Sequence, residues 1–232
     1  MDENLQPFLT ATAIIDSEHQ RVRNYAMDAI QGVKDPVKMA ANIYLTVRDN
    51  ILYDPYSPFY LPEHYRAGYV IKRGRSFCVP KASLLCVLGR ACGIPSRVGF
   101  ADVRNHLATK QLIDYIGSNL FVYHGFVEFY LEGKWLKATP AFNKDLCKRH
   151  HVPPLEFNGR EDSLFQAYNL ENQKFMEYVN FYGVYVDIPV DEIVAGWKKF
   201  YGEERVNRWI KRFGKGGNRS LSDFETEDVF NR

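Results

Sequence analysis

Two residues, Cys78 and His124, stand in settings that could make a sulfur nucleophile. Cys78 falls within Ser76-Phe77-Cys78-Val79-Pro80-Lys81, at the head of an apolar run that reaches Cys92 and closes with Gly93-Ile94-Pro95-Ser96-Arg97. His124 opens an alternating segment, His124-Gly125-Phe126-Val127-Glu128-Phe129-Tyr130-Leu131, followed by the turn Glu132-Gly133 and by Lys134-Trp135-Leu136. A helix N-terminus favours the thiolate, and an imidazole takes its proton. The chemistry expected of this pair is acyl transfer through a thioester, either by proton transfer during attack or from a resting thiolate–imidazolium pair. The backbone N–H of Cys78 is the expected first donor to the oxyanion, with a side chain of the 66–76 loop as the second.

The elements that must position this pair are read from periodicity. Asp16 or Ser17 caps a first helix whose apolar stripe runs Val22, Tyr25, Ala26, Ala29, Ile30 and ends at Gly32. Asp35-Pro36 starts a second, with Met39, Ala40, Ile43, Tyr44 and Val47 facing inward. A proline- and tyrosine-rich loop from Pro55 to Gly74 delivers the chain to the nucleophile helix, about residues 79–92. Strands are expected at Arg97 to Asp102, at about 120–131 and at 134–139, the last two joined by a tight turn. Helices are expected near 161–168 and from about 191 to 213. Helices first and an antiparallel sheet afterwards argue an α+β fold. The expected organisation is a single domain, 1–232. Its core motifs fill 36–143, residues 144–213 form an extension or lid, and a flexible tail runs from 214 to 232. If the extension is a lid, trimming from Gly214 is harmless, while deleting 160–190 alters activity before stability.

Composition narrows the partners. Among 232 residues, 30 basic side chains face 28 acidic ones, so no net charge recruits nucleic acid. The basic residues between Lys198 and Arg219 read as the solvated face of a C-terminal helix. No apolar run approaches the ~20 residues of a membrane span. Met1 to Leu5 carry neither the basic nor the apolar stretch of a secretory signal. The four cysteines suit a reducing compartment, so the expected location is cytoplasmic. Cys86 and Cys92 read as core thiols. Cys147, His150 and His151 read as a surface turn rather than a metal site, and no metal or cofactor is expected. His106 reads as a loop residue, and Arg97 as the structural partner of a carboxylate such as Glu128.

Together, Gly74-Arg75-Ser76-Phe77-Cys78, the run Leu84 to Arg90, Gly93-Ile94-Pro95-Ser96-Arg97, and His124 to Tyr130 with Gly133-Lys134-Trp135 resemble the core motifs of transglutaminase-like proteins. The resemblance covers about residues 36 to 143. It implies a papain-like core, with the nucleophilic cysteine at the N-terminus of a central helix packed on an antiparallel sheet. It also implies a histidine base. The family's third residue is an aspartate four positions after the hairpin tryptophan. Here Thr139 stands there, in Trp135-Leu136-Lys137-Ala138-Thr139-Pro140. Thr139 could accept a hydrogen bond from the ring N–H without bringing charge, and Asn143, Asp145 and Asp102 are the alternatives.

The function this implies is a thiol enzyme acting on amide bonds of a peptide or protein, as peptidase or amidase rather than cross-linker. Cross-linking enzymes of this resemblance are larger and carry calcium sites. A rival reading is a degenerate site kept for gripping a peptide or protein, for which the missing aspartate argues. A third is an acyltransferase that takes its acyl group from a carrier.

Overall fold

The computed structural model describes residues 4–214 and 224–227. Helix α1 (Gln20–Ile30) starts where the His19 ring accepts the Arg21 N–H, three residues after the expected cap at Asp16. It buries Val22, Ala26 and Ile30, one residue per turn. Helix α2 (Pro36–Asn50) begins as expected, with the Asp35 carboxylate accepting the Lys38 N–H and proline in the first turn.

Past α2 the chain makes a two-residue strand, β1 (Leu52–Tyr53), paired in parallel with β2 (Arg75–Ser76). The connection holds a 3-10 turn, Pro62–Tyr65, and helix α3 (Ala67–Arg73), where the sequence suggested an irregular loop. Two turns of helix are too short to display a period. Burial of Ala67 and Val70 holds them in place, and Gly74 ends the helix at φ 64°.

Helix α4 (Cys78–Ala91) is central. Every residue from Val79 to Arg90 is buried, which explains why its sequence has no polar stripe. Two of the buried side chains are basic, Lys81 and Arg90, and each is bound to backbone carbonyls. Lys81 Nζ donates to Arg48 O, 2.9 Å away, and to Ile51 O, tying the first turn of α4 to the end of α2. Arg90 reaches Ser96 O, Thr10 O and Val186 O at 3.0, 2.7 and 2.6 Å.

Against α4 lies an antiparallel sheet of β3 (Ser96–Asn105), β4 (Leu120–Leu131), β5 (Lys134–Ala138) and β6 (Met176–Tyr185), in the order β5-β4-β3-β6. The fold is therefore α+β. On the sheet, Arg97 lies directly opposite Glu128 and pairs with it at 2.7 Å, while its guanidinium stacks 3.7 Å from the Trp135 ring centroid. Helix α5 (Lys110–Ile116) spans the connection from β3 to β4, and α6 (Lys144–Arg149) follows β5. The expected helix near 161–168 is absent among the described residues; Ser163 instead exchanges backbone hydrogen bonds with Lys137 and Thr139. The expected helix over 191–213 is two, α7 (Val190–Tyr201) and α8 (Glu203–Gly214), separated by Gly202 at φ 93°.

Beyond Gly214, residues 224–227 pack against the body of the protein, with Phe224 and Glu227 buried. The rest of the tail expected to be flexible lies outside the described residues.

Candidate active site

Cys78 is the first residue of α4, preceded by Phe77 in extended conformation. Its thiol is free. Burial pushes the thiol up to about 11, outweighing the backbone N–H groups of Gly125, Val79 and Cys78 itself, which favour its anion. His124 lies near the start of β4, buried, with its ring 5.0 Å from that of Phe165. Burial pushes the imidazole down to about 3. Both shifts oppose charge on these groups, which favours proton transfer during attack over a standing thiolate–imidazolium pair.

Two local features bring the pair to one place. The first is Gly125, which passes across the first turn of α4. A Cβ at that position would lie 2.9 Å from Val79 Cα and 3.3 Å from Ala82 Cβ, so only glycine permits the approach. The second is a bulge immediately before His124. The β3–β4 register shifts between Ala101 and Val103, and Tyr123 adopts φ 57°, a strained conformation for a side chain of its size. Asp102 sustains it. Its Oδ1 accepts the Tyr123 N–H at 3.2 Å and its Oδ2 accepts the Tyr182 hydroxyl at 3.1 Å. The Tyr123 and Tyr182 rings stack 4.1 Å apart.

The candidates for the third position differ in what they touch. Asp102 has both oxygens engaged in holding the bulge. Asn143 precedes α6, and its Oδ1 accepts the Tyr53 N–H at 3.1 Å. Asp145 is exposed. Thr139 is anchored by its backbone: its N–H donates to Ser163 O at 3.1 Å, and its carbonyl accepts the Tyr44 hydroxyl at 3.1 Å. Its hydroxyl is buried without a hydrogen-bond partner, and so is His124 Nε2. Because Val127 pairs with Ala138, Thr139 continues opposite Phe126, one diagonal step from His124. The Tyr178 hydroxyl comes near Thr139 without completing a hydrogen bond of ordinary geometry.

Cys78 and His124 line two cavities that meet at Tyr53 and Phe121. One, of about 70 Å³, is walled by Phe59, Phe77, Tyr115, Trp197, Tyr201 and Trp209, with no lysine, arginine or carboxylate in its lining. Hydrogen bonds fix that wall: Trp197 Nε1 donates to Val122 O at 3.0 Å, and the Tyr201 hydroxyl donates to Leu120 O at 3.1 Å. The other, of about 30 Å³, lies toward Phe142, Phe165, Met176 and Phe224.

Other residues singled out in the sequence stand elsewhere. His106 bonds Glu177 at 3.2 Å, and it lines neither cavity. Cys86 is fully buried, and Cys92 lies half-buried just past α4. His151 pairs with Glu171 at 3.1 Å, while His150 stacks on Phe224. Sequence reasoning missed Gly125, Tyr123 and the wall from α7 and α8. A glycine inside an alternating strand was the one available signal, since it marks close backbone approach.

The transglutaminase-like superfamily model matches residues 23–140, just over half of the chain, and that stretch contains Cys78, His124 and Thr139. The chain belongs to the transglutaminase-like superfamily. No curated protein sequence matches it. Among solved structures it is similar to a candidate cysteine protease from Cytophaga hutchinsonii, with 17% identity over 80% of this chain and 56% of that one, at a TM-score of 0.47. It is also similar to the periplasmic domain of TgpA from Pseudomonas aeruginosa, with 19% identity over 60% of this chain and 48% of that one, at 0.42. A candidate protease from Parabacteroides distasonis shares 17% identity over 58% of this chain and 26% of its own, at 0.38. The chain thus spans little more than half the length of the first of these proteins, and less of the others. No helix among the described residues is long and apolar enough to cross a membrane.

Proposed function

We propose that this chain is a thiol enzyme that cleaves amide bonds of peptides, with Cys78 as nucleophile, His124 as general base and acid, and Thr139 as a neutral orienter of the imidazole. The observation that carries this reading is that Cys78, at the N-terminus of α4, and His124 line the same cavities.

Proton transfer during attack sets the order of events. As sulfur attacks the carbonyl carbon, the S–H proton passes to His124, and the carbonyl π electrons move to oxygen. The Cys78 N–H is placed to donate to that oxyanion, and the Gly125 N–H is our choice for the second donor. Collapse breaks the C–N bond, and His124 gives its proton to the departing amine. Water then attacks the thioester with His124 as base, releasing the acid and restoring the thiol.

The aromatic wall favours an apolar acyl side chain, because a charge there would be desolvated without a partner. For location we propose the cytoplasm, since four free thiols suit a reducing compartment.

A second reading, a non-catalytic peptide-binding domain, is favoured by one observation: His124 Nε2 is buried without a partner, so no carboxylate orients the imidazole through that nitrogen. Peptide-library turnover with acid-quench mass spectrometry separates the two. Enzymatic function predicts an acyl adduct on Cys78, and loss of turnover in both Cys78→Ala and His124→Ala. Turnover that survives Cys78→Ala refutes the mechanism. Peptide binding by wild type with no turnover establishes the second reading.

A further inference from the structure

Residues 224–227 pack beside the smaller of the two cavities, and the contacts there are specific in chemistry. Phe224 is 7% exposed and forms part of the wall of the smaller cavity that also holds Cys78 and His124. Its ring meets Tyr53 edge-on at 5.5 Å and lies nearly parallel to the His150 ring at 6.2 Å. Three residues on, the Glu227 carboxylate is 3% exposed. It accepts the Tyr56 hydroxyl at 2.7 Å on one oxygen and the Thr109 hydroxyl at 2.5 Å on the other.

Burying a carboxylate is costly unless its lone pairs are met, and a segment that needed only to cover apolar surface has no use for one. Thr109 is itself fixed, because its oxygen accepts the Leu112 N–H at 3.1 Å and so leaves its proton for Glu227. The receiving groups, Tyr53 and Tyr56, Thr109, and His150, therefore come from three separate stretches of chain and converge on one aromatic ring and one acid.

We propose that this side of the cleft is a subsite for a peptide carrying an aromatic residue with an acidic residue three positions later, and that the chain's own Phe224–Glu227 occupies it as a tethered competitor. The inference goes beyond the proposed function, because binding at this subsite needs no chemistry. It departs from the expectation that the tail is dispensable: freeing the subsite opens the cavity next to Cys78.

The test uses the full-length chain and a fluorescein-labelled peptide of the sequence of residues 220–231, read by fluorescence anisotropy. A tethered segment competes at an effective concentration in the millimolar range, so wild type should bind the added peptide poorly. Phe224→Ala should bind it at least tenfold more tightly, and Glu227→Gln at least threefold. Iodoacetamide labelling of Cys78 should quicken in both variants and slow again when the peptide is added. Peptides with alanine in place of the first phenylalanine, or glutamine in place of the second glutamate after it, should bind at least fivefold more weakly. Thermal melts establish that the variants are folded. Should Phe224→Ala unfold, Glu227→Gln with its threefold criterion decides. Equal affinity in wild type and folded variants, or equal binding of the altered peptides, overturns the proposal. Peptide binding as expected with no turnover on any substrate sinks the enzymatic reading and leaves this one standing.

Discussion

Adding a single methyl group at Gly125 should separate the proposed nucleophile, Cys78, from its proposed base, His124. The new Cβ would sit 2.9 Å from Val79 Cα, against about 3.5–4.0 Å for a relaxed carbon–carbon contact, a shortfall of roughly 1 Å. The obstructing atom is backbone, so no rotamer change relieves it, and either β4 or the first turn of α4 must retreat. Overpacking of this kind costs about 1–3 kcal/mol, which for a domain of this size lowers Tm by roughly 2–4 °C per kcal/mol. A displacement of about 1 Å between reacting groups can lower the rate by about a hundredfold. Gly125→Ala should therefore lose far more turnover than its stability loss explains. Gly89→Ala supplies the comparison. Its Cβ would meet Ser96 Oγ at 2.2 Å and the Phe129 ring at 2.6 Å, in the same interface but three turns of α4 from Cys78. It should melt lower, with turnover per folded molecule within about threefold of wild type. Circular dichroism melts and peptide hydrolysis by the folded fraction measure both quantities. If Gly125→Ala keeps wild-type turnover, or Gly89→Ala loses as much, the close crossing at Gly125 does not position the site.

Two further perturbations test the electrostatics. Thr139→Asp places a carboxylate one diagonal step from a ring held near 3 by burial; an adjacent anion should raise that value by about 1–3 units and increase turnover severalfold. NMR titration of His124 and hydrolysis rates check this, and an unmoved imidazole would show that position 139 does not face the ring. Lys81 is held at about 7 by burial, so between that value and the ordinary 10.5 the unfolded chain binds the extra proton. Stability should then rise with pH across that window. Urea melts of wild type and Lys81→Met should show this rise flattened in the variant, and equal slopes would refute the assignment.

The nucleophile helix, the Gly-Ile-Pro turn, the His124 strand and the Arg97–Glu128 pair were legible because each rests on a local pattern: an apolar run, a turn signature, an alternation. Helix α3 was not, since two turns show no period. Strand β6 was not, because it is an edge with Val179 and Phe181 about half exposed, and so lacks the in–out alternation of a half-buried strand. The fourfold choice at the third position narrowed only with tertiary contacts. Asp102 and Asn143 look equally available in sequence, yet one holds the Tyr123 bulge and the other the Tyr53 backbone. The surroundings of the thiol were also hidden. Helix-start position argues for an anion, whereas burial pushes the thiol up, and part of the cavity wall beside it, Trp197, Tyr201 and Trp209, comes from more than a hundred residues downstream.

Those distant side chains bear on how such a protein can diversify. Cys78, His124 and Thr139 lie inside the superfamily-matched stretch 23–140, whereas Trp197, Tyr201 and Trp209 come from α7 and α8, well past its end. If these residues react as proposed, the reacting atoms and the aromatic wall beside them are encoded in separate stretches of gene. Drift or recombination in the later stretch can retune selectivity while leaving the reaction centre untouched, so relatives that share the first stretch need not share a substrate.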